Sequence, residues 1–183
     1  MTHHFKLSMT CLTLFLIVLG CKNRPASETV DIAKALSEGD TACYARAKGP
    51  IGLKFPKDFG PHEDFKTEWW YYTGNLKDQT GRHFGFQLTF FRQALACEKP
   101  AGGSKWRTRQ LFFAHFAVTD TQNKRFFSAR RMNRGSLGIA GAVPSPFRVW
   151  LDNWEAAGTG NKKIVLKTRD HDGGNAGLFG LNL

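Results

Sequence analysis

His83-Phe84-Gly85-Phe86-Gln87-Leu88-Thr89-Phe90 alternates between two kinds of side chain. Successive residues of a strand point to opposite faces, so Phe84, Phe86, Leu88 and Phe90 share one face, and His83, Gly85, Gln87 and Thr89 share the other. A helix would scatter the four apolar groups around its axis. Upstream, Trp69 to Leu76 is a second strand-like run, and Asp78-Gln79-Thr80-Gly81 between them has the length and composition of a hairpin turn. The two strands are therefore expected to pair antiparallel.

The period of two persists downstream. Arg109 to Asp120 reads as a third strand, Thr121-Gln122-Asn123 as a turn and Lys124 to Met132 as a fourth strand. Gly135 to Pro146 reads as a Gly/Pro-rich connection. Phe147 to Leu151, Lys162 to Thr168 and Leu178 to Leu183 read as further strands, with turns at Gly158-Thr159-Gly160-Asn161 and Asp172-Gly173-Gly174-Asn175. About seven short strands with little helix predict an all-β fold, an antiparallel barrel or sandwich. Leu178 to Leu183 looks like a strand in progress, as in a chain shortened relative to its relatives or one that pairs its last strand with another molecule.

Before the strands, Met1 to Lys6 is weakly basic and Leu7 to Leu19 is apolar and uncharged, the layout of a signal peptide. The run is too short to span a bilayer, which takes ~20 apolar residues. Val18-Leu19-Gly20-Cys21 resembles a bacterial lipobox, so residues 1–20 are expected to direct export and Cys21 to carry lipid. Lys22 stands where Asp would favour retention at the inner membrane. The expected location is the cell envelope, at the outer membrane or the periplasmic face. Residues 21–49 form a tether with one short helix, Ser27 to Leu36, and 50–183 form the β domain.

Of 26 Lys and Arg, cleavage removes only Lys6, leaving 25 against 15 acids and a mature charge of +10. The densest cluster, Lys124, Arg125, Arg130, Arg131 and Arg134, is interleaved with Phe126 and Phe127, but its spread along one strand reads as a solvated basic face and not as a nucleic-acid site. Lipid phosphates fit an exported protein better. Once Cys11 leaves with the signal and Cys21 is lipidated, Cys43 and Cys97 remain, as a disulfide or as two separate thiols.

Three segments carry a family resemblance: Phe55-Pro56-Lys57-Asp58-Phe59-Gly60-Pro61-His62, Thr67-Glu68-Trp69-Trp70-Tyr71-Tyr72-Thr73-Gly74 and Gly85-Phe86-Gln87-Leu88-Thr89-Phe90-Phe91-Arg92. Together with Ala114 to Asp120 and Trp150 to Trp154, they resemble the AttH-like family of predicted secreted hydrolases, related to hydroxyneurosporene synthase, the carotenoid 1,2-hydratase. The resemblance implies a lipocalin-like barrel, one of two in tandem, with this chain matching the N-terminal half. It also implies either hydratase or hydrolase chemistry.

Glu68, Gln87 and His115 are polar residues embedded in aromatic strands, and they are the candidate catalytic set. Hydration of an alkene needs a proton donor, a group that steadies the cation and a held water. Glu68 and His115, where they meet in the interior, form a candidate acid/base pair with either one as the donor, with Gln87 on the water and the ring of Trp70 or Tyr72 against the cation. Trp69, Trp70, Tyr72, Thr89 and Arg92 are the candidate ligand contacts. Alternation allows only one of Trp69 and Trp70 to face inward. The competing expectation is structural: Glu68 pairs with Arg92, and His115 is a hydrogen-bonded core residue. No G-x-S-x-G elbow, phosphate loop or zinc-ligand spacing is written, so neither cofactor nor metal is expected; the neighbours His62, Glu63 and Asp64 are a poor metal set. The expected partner is a long apolar molecule, a polyene or lipid, either bound or acted upon. A remnant lacking its second barrel is the third reading.

Overall fold

The computed structural model of the chain describes residues 41–98, 101–159, 163–171 and 178–183. The expected export signal, the expected lipid site at Cys21, the expected Ser27–Leu36 helix and most of the last two predicted turns lie outside these residues. The alternation around Leu88 becomes β2 (His83–Ala94), paired antiparallel with β1 (Thr67–Lys77). Their turn follows from its side chains: Asp78 Oδ1 accepts from the Thr80 and Arg82 backbone N–H groups, each at 2.9 Å, and Gly81 takes φ +90°. A side chain at Gly81 would strain that left-handed backbone. β3 (Gln110–Asp120) and β4 (Arg125–Arg134) complete a four-stranded sheet in sequence order.

The second sheet is β5 (Ala140–Pro144), β6 (Phe147–Leu151), β7 (Trp154–Thr159), β8 (Lys163–His171) and β9 (Leu178–Asn182), also in sequence order. The architecture is all-β and lipocalin-like, with two antiparallel sheets that do not close into one barrel. Nine strands are described, against about seven expected. β5 lies inside the predicted Gly/Pro connection and β7 in an Ala-rich stretch, both too poor in large apolar groups to show an alternation.

Cross-strand register assigns the faces. Trp70, Phe90 and Ala114 share one row, and Tyr72, Leu88 and Phe116 the next, all toward the second sheet. They meet Val149, Leu151, Trp154, Ala156, Leu166 and Leu181 in one buried core. Phe116 stacks on Phe179 with ring centroids 5.0 Å apart and meets the Trp154 edge at 5.9 Å. Among the described residues, these rings and the aliphatic side chains around them occupy the space between the two sheets. Arg131 clips the sheets together: its Nε donates to Asp170 at 2.8 Å, and its guanidinium lies 4.6 Å over the Trp154 ring.

The segment before β1 is tied to both sheets. Trp70 Nε1 donates to the Phe59 carbonyl at 2.9 Å. Gly60 packs so closely on Pro144 that an added Cβ would lie 2.5 Å from it. Cys43 and Cys97 form a disulfide with Cα atoms 6.0 Å apart, joining the chain ahead of β1 to the loop after β2.

Candidate functional site

Glu68 and His115 do not converge. Glu68 lies on the inner face, in the row of Arg92 and Phe112, whereas His115 pairs with Thr89 on the outer face and is exposed. Gln87 pairs with Thr73 and Ala117, also outward, so the three residues form no common site. The ligand contacts divide in the same way. Trp70 (8% exposed) and Tyr72 face inward, whereas Trp69 (62% exposed) and Thr89 face outward. Burial pushes the Tyr72 phenol well above its ordinary pKa. The His115 imidazole is held below its ordinary value, first by desolvation and then by the Arg130 charge. Its neighbour is Phe91, edge-on at 5.5 Å, so it is neither a catalytic partner of Glu68 nor a core residue.

The structural alternative for Glu68 is present, with an addition. Arg92, only 1% exposed, sets Nε 3.2 Å from Glu68 Oε2. The guanidinium also donates to Gln110 Oε1 at 3.0 Å and to the carbonyls of His62 and Phe65 at 2.9 and 2.8 Å. A buried charge persists only when paired and hydrogen-bonded in this manner. Arg92 thereby fastens residues 62–65 to the sheet and turns His62 onto Glu68. The His62 ring Nδ1 lies 2.7 Å from Glu68 Oε1, and the His62 backbone N–H donates to both Glu68 oxygens at 3.1 and 3.0 Å. On the other side of the ring, Nε2 lies 3.6 Å from Asp58 Oδ1.

Asp58, His62 and Glu68 thus form a carboxylate–imidazole–carboxylate line in the lining of a cleft of about 380 Å³, together with the apolar Ile51, Leu53 and Phe65 and the cations Lys54 and Lys57. Ile51 and Leu53 leave more than half of their surface to solvent. The Asp58 carboxyl is held below its ordinary pKa chiefly by the Lys54 backbone N–H, against its own desolvation, with His62 adding to the effect. A glutamate bonded to Nδ1 fixes the ring's orientation, and Nε2, 3.6 Å from Asp58, is the less closely engaged ring nitrogen. Sequence reasoning passed over His62 because it tested that residue only as a metal ligand beside Glu63 and Asp64. The contact with Glu68, six residues on, depends on the Arg92 clamp and carries no local signal.

A family model described as AttH-like matches residues 46–182, which include β1 to β9 and the whole cleft. The chain belongs to the AttH-like family. A crystal structure of a candidate AttH from Nitrosomonas europaea is similar at 31% identity with a TM-score of 0.60, covering 75% of this chain and 39% of that one. The AttH-like domain here therefore spans well under half the length of that relative. No curated protein matches the chain.

Proposed function

We propose that this AttH-like chain is an envelope lipoprotein, exported by residues 1–20 and anchored through Cys21, that holds a long apolar molecule such as a polyene or acyl lipid. The cleft beside Glu68 carries this reading, because exposed Ile51 and Leu53 line it together with the polar Asp58, His62 and Glu68, a mixture that suits a guest with a greasy body and one polar or reactive end. Among the described residues, the core between the sheets is packed with aromatic and aliphatic side chains, which favours the cleft as the place for the guest. A second reading, chemistry on the guest, is favoured by the 2.7 Å contact between His62 and Glu68. There Nε2 would pass a proton to or from a double bond or a water, as hydration or hydrolysis requires.

The test uses the full chain purified from membranes. Mass spectrometry of copurifying lipids, and titration with a fluorescent polyene fatty acid, should show a retained apolar guest. Leu53→Asp should weaken the polyene by about tenfold, the scale of one buried leucine side chain. Retention of no fatty acid, polyene or lipid by the wild-type chain would end the binding reading. His62→Gln separates the second reading: it should leave binding intact while stopping the addition of water to the guest, or its cleavage.

A further inference from the structure

The outward face of the β1–β4 sheet is a feature that the cleft does not use. Trp69, Tyr71 and Met132 there are each more than half exposed, and Phe91 and Phe113 complete an apolar row from Trp69 to Met132 that crosses all four strands. Arg130 and Arg134 stand at its β4 edge, both exposed. Among the described residues, no Asp or Glu occupies an outward position on these four strands. A contiguous apolar patch with a one-signed charged edge marks an interaction surface. Its charge selects the partner. A second copy of the same face would bring arginine toward arginine, whereas an anionic bilayer offers phosphates to both arginines and an interfacial layer where Trp and Tyr rings settle.

We propose that this face lies on an anionic membrane surface, with Trp69, Tyr71 and Met132 at headgroup depth and Arg130 and Arg134 on lipid phosphates. The inference rests on the membrane location proposed above, and it adds an orientation: the tether brings the domain to the bilayer, and the sheet face decides which side meets it. The cleft, built on the segment before β1, is then held beside the source of an apolar guest.

The test compares two vesicle compositions with the full, lipidated chain. Met132→Cys carries an environment-sensitive fluorophore, and Lys167→Cys, exposed on the second sheet, carries the same dye as a control. Flotation with neutral phosphatidylcholine vesicles reports the tether. A brighter, blue-shifted Met132-site dye on vesicles that also contain phosphatidylglycerol, with the control unchanged, reports the face. Arg130→Gln and Arg134→Gln should each lower the docked fraction by about fivefold. A chain that floats on both vesicles while the Met132-site dye stays unchanged would overturn the docking and leave the tether standing. A dye response without vesicles that grows with protein concentration would assign the face to a second copy, and would likewise overturn it. Flotation only with phosphatidylglycerol would uphold the face and refute the tether.

Discussion

The two faces of the β1–β4 sheet are built from nearly the same residue types, and they behave in opposite ways. Inward stand Trp70, Phe90, Phe112 and Phe116; outward stand Trp69, Phe91, Phe113 and Phe126. The first set is sealed in the core, while Trp69 and Phe126 are exposed by more than 60%. Aromatic content does not decide which face becomes the core. The ends of the rows differ: the inner face closes on ion pairs, Glu68 with Arg92 at one end and Asp120 with Arg82, at 2.6 Å, at the other. A charge at the rim of a core must find its partner there, and the cross-strand register that supplies both partners also fixes which aromatic residues point inward.

The contrast breaks most sharply at Arg92. Arg92→Leu leaves Glu68 without its cation and frees residues 62–65, so denaturant unfolding should show a loss of about 3–5 kcal/mol; adding Glu68→Gln should return part of it. The faces can then be compared ring for ring. Phe116→Ala opens a cavity against Phe179 and Trp154 and should cost about 3–5 kcal/mol, whereas Trp69→Ser, which leaves water contact largely as it was, should change stability by about 0.5 kcal/mol or less. Equal losses at the two sites would mean that the outer face is a covered core in solution. The smallest effect belongs to His115. Its folded pKa lies below 6.5, so the neutral form is favoured in the fold, and the stability this contributes is present above 6.5 and lost as pH falls through the folded value. His115→Gln should therefore lose less melting temperature on acidification than the wild type, and identical pH slopes would remove the residue from the account.

The central hairpin was legible because β2 writes its faces in residue types that differ, large apolar against small or polar. β3 does not. Leu111, Phe113 and Ala117 alternate with Phe112, Ala114 and Phe116, so either set reads as a core, and only pairing with β2 puts His115 outside. That parity keeps the candidate pair Glu68 and His115 on opposite faces. The pairing of Glu68 with Arg92 could be anticipated, because both stand where a carboxylate and a guanidinium interrupt aromatic runs and the hairpin turn brings them opposite. His62 could not be anticipated. Its position follows from four hydrogen-bond acceptors gathered around one buried arginine, two of them backbone carbonyls, and backbone carbonyls leave no mark in composition or period.

The disulfide from Cys43 to Cys97 encloses the segment beneath the cleft, the Asp58–His62–Glu68 line and the whole β1–β2 hairpin in a single covalent ring with a sequence separation of 54. A protease that cut the hairpin's exposed Asp78–Gly81 turn would open the ring without releasing a fragment. The Asp58–His62–Glu68 line, which lies wholly on one side of such a cut, would stay attached to Arg92 on the other side until a reductant broke the disulfide.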